Sequence, residues 1–249
     1  MTILGIDVGG SAIKGALVDT EQGALVSERY RIPNDEMLTP KEMTKVVKKI
    51  IEHFDYHGAV GIGFPTPIRG DVVQMAANID KDWEGMNVVQ AFSEHTGCPC
   101  FVVNDADAAG IAEIRFGVGR EDPRHVILMT TLGTGIGTAI FLDGKLLPNC
   151  EFGHLEVRGK DAETRASEAI RQRKNLSWKA WAKRLQEFYE RMEALMYPDL
   201  IIVGGGISKK ADQFLPYLKL KADIKPALLL NEAGIIGAAC YAAERSGTM

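Results

Sequence analysis

The chain opens with the stretch Leu4-Gly5-Ile6-Asp7-Val8-Gly9-Gly10-Ser11-Ala12-Ile13-Lys14-Gly15-Ala16-Leu17-Val18-Asp19, an apolar strand, a glycine-rich turn and a second strand. The pattern returns as Val126-Ile127-Leu128-Met129-Thr130-Thr131-Leu132-Gly133-Thr134-Gly135-Ile136-Gly137-Thr138-Ala139-Ile140-Phe141-Leu142-Asp143. Glycine lets backbone N–H groups come close to an anion, and serine and threonine hydroxyls add donors without bulk. Two such turns, far apart in the sequence, predict two similar lobes that hold one phosphorylated ligand, as in a phosphotransferase.

The composition narrows the class of protein. Of the 249 residues, 25% are charged and the net charge is −4, which argues against wholesale binding of nucleic acid. No apolar run approaches the roughly 20 residues that span a membrane, and the N-terminus lacks the pattern of a signal peptide. The cysteines show no zinc-ligand spacing, and Cys98 and Cys100 are too close for a useful disulfide. We therefore expect a reduced, cytoplasmic protein with no zinc site, no membrane contact and no nucleic-acid partner.

Apolar periodicity predicts a similar order of elements in the two halves of the chain. The predicted strands are 2–8, 12–19, 24–32, 60–64, 101–103, 126–130, 136–142, 145–147 and 200–203. Helices are predicted after the capping box Thr39–Glu42, over 88–95, from 104 to about 117, after the cap Ser177, after Gly206 and from 231. The apolar stripe of the Ser177 helix is Trp178, Trp181, Leu185, Phe188, Met192 and Leu195.

This order defines an α/β fold class with two lobes and a cleft between them. The N-terminal lobe is predicted to cover 1–118 and the C-terminal lobe 119–249, with a charged link over 119–124. The last helix, 231–246, is expected to pack back on the first lobe.

Four segments, in this order, resemble the motifs of the ROK sugar kinases: Asp7-Val8-Gly9-Gly10-Ser11, Asn104-Asp105-Ala106-Asp107-Ala108-Ala109, Leu132-Gly133-Thr134-Gly135-Ile136-Gly137 and Glu151-Phe152-Gly153-His154. The resemblance covers nearly the whole chain and implies the actin-like, hexokinase and Hsp70 ATPase fold, with two βββαβαβα lobes. Most ROK kinases carry a cysteine-rich zinc motif after the Gly-His step, whereas residues 155–163 contain no cysteine. In this the chain is similar to the polyphosphate glucokinases. It departs from them at Thr66-Pro67, where such kinases usually carry a small residue beside the sugar.

The resemblance implies that Asp105 is the catalytic residue. Asp105 lies at the predicted start of a helix, where the ionised form of a carboxylate is favoured, so it would be a weak base. A weak base suits phosphoryl transfer, because catalysis there rests mainly on positioning and charge neutralisation. A plain helix N-cap is the alternative reading of Asp105.

The resemblance also implies the substrate ligands. The sugar ligands would be Asn78, Asn104, Asp105, Glu151, His154 and Glu156, since carboxylate, amide and imidazole groups read the hydroxyls of a hexose. A structural histidine and a solvated glutamate are the plainer readings of His154 and Glu156. Asp7 would hold Mg²⁺, directly or through water. The phosphoryl donor would meet Asp7, Gly9, Gly10, Ser11, Lys14, Thr131, Gly133, Thr134, Gly135, Gly137, Gly204, Gly205 and Gly206, although each glycine could instead serve backbone geometry.

The region from Arg158 to Arg184 is locally basic, and only Asp161, Glu163 and Glu168 oppose its charges. The basic residues are Arg158, Lys160, Arg165, Arg171, Arg173, Lys174, Lys179, Lys183 and Arg184. Such a segment is either a track for inorganic polyphosphate or an ordinary solvated face.

The resemblance implies a homodimeric glucokinase that transfers phosphoryl from polyphosphate, with ATP as a further donor, to the 6-hydroxyl of glucose. The alternatives are an ATP-dependent kinase for mannose or fructose, and a sugar-sensing ROK protein without catalysis.

Overall fold

The structure is a computed structural model that describes residues 1–34, 36–77 and 79–247. It divides into two compact units. Unit 1 consists of Met1–Ala112 and the C-terminal segment that begins at Glu232, and unit 2 consists of Glu113–Asn231. Within the described residues, no helix has both the length and the apolarity to cross a membrane.

The strands are β1 (Thr2–Gly9), β2 (Ala12–Asp19), β3 (Ala24–Leu25), β4 (Tyr30–Pro33), β5 (Val60–Phe64), β6 (Ile68–Arg69), β7 (Val72–Val73), β8 (Cys100–Asn104), β9 (Val126–Leu132), β10 (Ile136–Leu142), β11 (Lys145–Leu147), β12 (Glu156–Val157), β13 (Lys160–Asp161), β14 (Leu200–Gly204) and β15 (Asp223–Pro226). The α-helices are α1 (Pro40–His53), α2 (Val88–Thr96), α3 (Asp105–Phe116), α4 (Val118–Glu121), α5 (Glu163–Ala166), α6 (Glu168–Arg173), α7 (Trp178–Met196) and α8 (Ala233–Arg245). Short 3₁₀ helices cover Lys81–Trp83, Phe152–His154, Gly206–Gln213, Leu215–Tyr217 and Leu230–Glu232.

Each unit is built on a sheet of the same strand order. In unit 1 the order is β3-β2-β1-β5-β8, with β1 and β2 antiparallel and β1, β5 and β8 parallel. In unit 2 the order is β11-β10-β9-β14-β15, with β9 and β10 antiparallel and β9, β14 and β15 parallel. The duplication that the two glycine-rich stretches predict is therefore confirmed at the level of sheet topology.

Helix α8 packs directly on the backbone of β1 and β5 in unit 1. A methyl group on Gly5 would overlap the carbonyl oxygen of Ile235, and one on Gly61 would overlap that of Ala238. On α8 itself, a methyl group on Gly237 would overlap the carbonyl of Ala108 on α3. Since successive residues of a strand face opposite sides of the sheet, the apolar neighbours of these glycines pack on the other side, in the core that α1 and α2 complete.

Two of the predicted helix starts are confirmed in detail. Thr39 and Glu42 form both hydrogen bonds of a capping box at the start of α1. The side chain of Ser177 caps α7 by accepting a hydrogen bond from the backbone N–H of Ala180.

Some predicted boundaries are wrong. The charged link 119–124 contains α4, and the strand predicted over 24–32 is two short strands, β3 and β4, that both pair with β2. Leu195 is 58% exposed, because the helical period brings Met196 instead onto the packed face of α7. The segment after Gly206 forms a 3₁₀ helix. No apolar run marks β15, an edge strand with charged residues.

A buried carboxylate connects the first and last segments of unit 2. Glu113 is 0% exposed, and its Oε2 accepts the backbone N–H of Val118 at 3.1 Å while its Oε1 accepts that of Leu229 at 2.7 Å. A hydrogen bond to a charged group stabilises by about 1.5–3 kcal/mol, and an orphaned buried N–H group adds a penalty when the partner is lost.

We expect Glu113→Ala to lower the free energy of unfolding by about 3 kcal/mol or more, because both N–H groups lose their acceptor. Urea denaturation measures the change. The exposed glutamate Glu121 on α4 provides the control, and Glu121→Ala should change stability by less than about 0.5 kcal/mol. Equal effects of the two substitutions would contradict this role for Glu113.

Candidate functional site

In unit 1, polar residues gather where three parallel strands end. Asp7 on β1 is paired in register with Gly63 on β5, and Phe64 at the end of β5 is paired with Asn104 at the end of β8. Asp105 follows directly as the first residue of α3. The carboxyl ends of parallel strands are the usual place for ligand sites in α/β sheets. The structure therefore brings Asp7, Asn104 and Asp105 to one edge of this sheet.

The helix cap at the start of α3 is supplied mainly by Asn104. Its Oδ1 accepts the backbone N–H of Ala106 at 2.9 Å and that of Asp107 at 3.1 Å. Asp105 accepts the N–H of the adjacent Ala106 at 2.8 Å. The plain N-cap reading of Asp105 thus describes Asn104 better. The catalytic role of Asp105 and the sugar contact of Asn104 stay predictions.

Asp7 and Lys14 face each other across the β1–β2 hairpin, with Lys14 Nζ 3.6 Å from Asp7 Oδ2. Burial raises the pKa of the Asp7 carboxyl, and the charge of Lys14 opposes that rise. A methyl group on Gly234, at the start of α8, would lie 3.1 Å from Asp7 Oδ1, so the helix N-terminus closely approaches this carboxylate. Mg²⁺ in phosphoryl-transfer sites is usually held by one or two carboxylates together with waters and substrate phosphates, so a single carboxylate such as Asp7 fits that ion. No cluster of three or more potential metal ligands occurs among the residues that the structure describes.

The turn of each of the two glycine-rich hairpins, β1–β2 and β9–β10, contains a glycine that the fold itself does not require. Gly10 and Gly133 lack a positive φ, and a methyl group on either would meet no atom within 4 Å. Backbone geometry and packing therefore do not explain glycine at these two positions. Open space above a glycine is what the close approach of a phosphate needs. The proposed donor contacts of Gly10 and Gly133 are supported by this observation.

The three glycines after β14, Gly204 to Gly206, differ in whether the fold requires glycine at their position. Gly204 is paired in register with Thr131, so the segment after β14 lies beside the second hairpin. Gly205 has φ 83° and its methyl group would overlap the backbone of Leu132, which gives it a structural reason to be glycine. Gly206 has open space, with only Asn231 Oδ1 at 4.0 Å from a methyl group.

A cluster of polar residues lies beside the second hairpin in unit 2. His154 Nδ1 is 3.0 Å from Asp161 Oδ2 and 4.0 Å from Glu163 Oε1. Glu163 Oε2 also accepts the backbone N–H of Ile136 at 3.4 Å. Glu163 therefore connects His154 to the glycine turn, a contact that the sequence analysis missed. An acidic residue in the first turn of a short helix was the only local signal for it.

Burial and charge act on the titrating groups of this cluster. Burial works against protonation of His154, but its hydrogen bond with Asp161 and the negative charges of Glu163 and Glu151 raise its pKa above the ordinary value. Burial raises the pKa of Glu151, and the positive charge of His154 opposes that rise.

The remaining sugar-ligand predictions have different outcomes. Glu156 lies exposed on β12. Asp161 and Glu163 are acidic residues within 4.0 Å of His154 Nδ1. Asn78 lies outside the described residues. Thr66, the departure from the family pattern, is 3% exposed, and its Oγ1 has no hydrogen-bond partner in the part of the chain that the structure describes.

An acidic residue outside the basic segment also opposes its charges. Arg158 and Arg165 both form ion pairs with Glu187 on α7, at 2.8 and 2.6 Å. Arg171 pairs with Glu168 at 3.2 Å, and its guanidinium lies 4.0 Å from the ring centroid of Trp178. The cations of the segment that are exposed and have no ion pair among the described residues are Lys160, Arg173, Lys174, Lys179 and Lys183.

Comparison with known proteins gives consistent matches. The sequence model of the ROK family matches residues 3–167 of this chain. Polyphosphate glucokinase of Mycobacterium tuberculosis H37Rv is 43% identical over 236 residues, which are 94% of this chain and 89% of that protein. The crystal structure of inorganic polyphosphate/ATP-glucomannokinase from Arthrobacter sp. strain KM is 45% identical, with a TM-score of 0.94 over 98% of this chain and 99% of that one.

A more distant match shows the fold alone. A ROK family glucokinase from Streptomyces griseus, solved with glucose and AMPPNP, is 24% identical, with a TM-score of 0.83 over 98% of this chain and 100% of that one. Together the structural matches confirm the predicted actin-like/hexokinase fold class.

Proposed function

The chain belongs to the ROK family, and from this premise we propose that it transfers a phosphoryl group from inorganic polyphosphate, with ATP as a further donor, to the 6-hydroxyl of glucose. The observation that carries the proposal is the 43% identity with a polyphosphate glucokinase over 94% of the chain. The match to a polyphosphate/ATP-glucomannokinase supports both donors. A cytoplasmic location and a homodimer stay predictions.

In the proposed reaction, Asp105 accepts the proton of the attacking sugar hydroxyl. The transition state of phosphoryl transfer is loose, so the hydroxyl needs a proton acceptor only late, and a carboxylate is sufficient. The position of Asp105 at the end of β8, where Asn104 supplies the helix cap, supports this role.

The residues around the first turn are proposed to bind the transferred phosphoryl group. Lys14 neutralises its negative charge, and the amides of Gly9, Gly10 and Ser11 donate to its oxygens. Asp7 would hold Mg²⁺, which when bound supplies further charge neutralisation. The second hairpin, with Thr131, Gly133, Thr134, Gly135 and Gly137, and the Gly204–Gly206 segment are proposed to bind the rest of the donor chain.

The sugar is proposed to be read by groups that both donate and accept hydrogen bonds. The family resemblance proposes Asn78, Asn104, Asp105, Glu151 and His154 for this role. The contact between Glu163 and His154 adds Glu163 to this set, and the sugar contact of Glu156 stays a prediction.

Mannose is a second candidate acceptor. The Arthrobacter protein, 45% identical over nearly its full length, is named a glucomannokinase. The buried Thr66, at a position where related kinases usually carry a smaller residue, is a further reason to test the sugar experimentally.

The experiment crosses glucose, mannose and fructose with ATP and polyphosphate and measures each sugar phosphate formed. We expect polyphosphate with glucose to be productive, at a rate that falls steeply with added salt, because the exposed lysines and Arg173 attract a long polyanion through charges that salt screens. A rate independent of salt would make the basic segment an ordinary surface. If ATP supports phosphorylation and polyphosphate does not, the polyphosphate proposal is refuted. If none of the sugar and donor pairs gives a sugar phosphate, the kinase proposal as a whole is refuted.

A further inference from the structure

The turn between β1 and β2 has an unusual conformation for so tight a hairpin. Gly9 is paired with Ala12, so Gly10 and Ser11 alone form the loop. Two-residue hairpin loops favour type I′ or II′ turns, which need a positive φ at the first loop residue. Neither Gly10 nor Ser11 has a positive φ. The turn therefore departs from the conformation that best matches the strand twist, although glycine could adopt that conformation at no steric cost.

The carbonyl groups of this turn are held by the segment at the end of β4. Asn34 Nδ2 donates to the carbonyl oxygens of Gly9 and Gly10, at 3.4 Å each. The carbonyl of Ser11 accepts the backbone N–H of Asn34 at 3.2 Å and Nη2 of Arg31 at 3.4 Å. Because the C=O and N–H groups of a trans peptide point in opposite directions, the amides of Gly10 and Ser11 point away from Asn34.

The Asn34 side chain is not arranged for stability alone. Its Oδ1 is buried and has no hydrogen-bond partner among the residues that the structure describes. An unsatisfied buried acceptor is unfavourable for the folded state. The contacts that account for an amide side chain at this position are therefore those of Nδ2 with the carbonyl oxygens of Gly9 and Gly10.

We propose that Asn34 is a positioning residue for phosphoryl transfer. It keeps the first turn in a conformation in which the amides of Gly10 and Ser11 together face the transferred phosphoryl group. Asn34 acts through the turn and does not itself contact the reacting atoms. The proposal rests on the kinase function proposed above, because it needs a phosphoryl group at this turn.

The test compares Asn34→Ala, which removes the amide without adding charge, with Asn34→Gln, which keeps it. We expect Asn34→Ala to lower kcat by about tenfold to a hundredfold with polyphosphate or ATP, since small misplacements of reacting groups have effects of this size. The KM for glucose should stay within about twofold of the wild-type value, because the turn is not a proposed sugar contact. Asn34→Gln should recover most of the lost kcat.

A structural control comes from Asn87, which caps α2 by accepting the backbone N–H of Gln90 at 2.8 Å. Asn87→Ala should lower the unfolding temperature without lowering kcat. If wild-type protein phosphorylates glucose and Asn34→Ala keeps its kcat within about twofold, the positioning role is refuted and the kinase function stands. Loss of folding in both Asn34 variants would instead make Asn34 a purely structural residue. Failure of the wild-type protein with every sugar and donor refutes the kinase function itself.

Discussion

Asp105→Asn is expected to lower kcat by about a hundredfold to ten-thousandfold, the usual contribution of a positioned proton acceptor. Asparagine has the same shape, and its amide oxygen can still accept the N–H of Ala106, so the start of α3 should keep its structure. Binding of glucose should stay measurable, because the other proposed sugar ligands are unchanged. The measurements are steady-state kinetics with polyphosphate and ATP, together with calorimetric titration of glucose.

The control for this prediction is Asp71→Asn. Asp71 is exposed in unit 1 and has φ 64°, a conformation that asparagine tolerates well. Its kcat should equal that of the wild-type protein. A near-normal kcat for Asp105→Asn would show that Asp105 is only part of the helix start, and the catalytic assignment would then be withdrawn.

Gly61→Ala is expected to destabilise unit 1 by about 3 kcal/mol or more, at the upper end of overpacking effects. The added methyl group would overlap the backbone carbonyl of Ala238, and α8 could relieve that overlap only by moving off β1 and β5. Thermal and urea denaturation measure the effect.

Substitutions of two other glycines are the controls for Gly61→Ala, one for stability and one for activity. Gly63→Ala, on the same strand and the same face, would place a methyl group in ordinary contact, with Ala108 Cβ as its nearest atom at 3.6 Å, and should leave stability nearly unchanged. Gly10→Ala should also leave stability nearly unchanged but lower activity, because the methyl group would occupy the space proposed for the phosphate. If Gly61→Ala is as stable as Gly63→Ala, the close packing of α8 on the sheet does not stabilise the fold.

The sequence alone predicts those features whose causes lie close together in the chain. The cap of α1 depends on Thr39 and Glu42, three residues apart, and both of its hydrogen bonds are found. The two glycine hairpins were predicted for the same reason, since strand, turn and strand follow one another directly. Asn104 and Asp105 could be placed at a strand-to-helix junction from the local pattern, although which of them caps α3 needed the structure.

The tertiary structure alone decided the contacts between distant segments. Asn34 reaches Gly9 across a separation of 25 residues, and Glu113 reaches Leu229 across 116. Periodicity and capping rules say nothing about such pairs, because a side chain's partner then depends on how the sheets and helices pack. The sequence therefore determined the duplicated α/β plan and the family, while packing decided which side chains hold the two glycine turns in place. The physical reason is range: propensities act over a few residues, whereas a hydrogen bond needs only proximity in space.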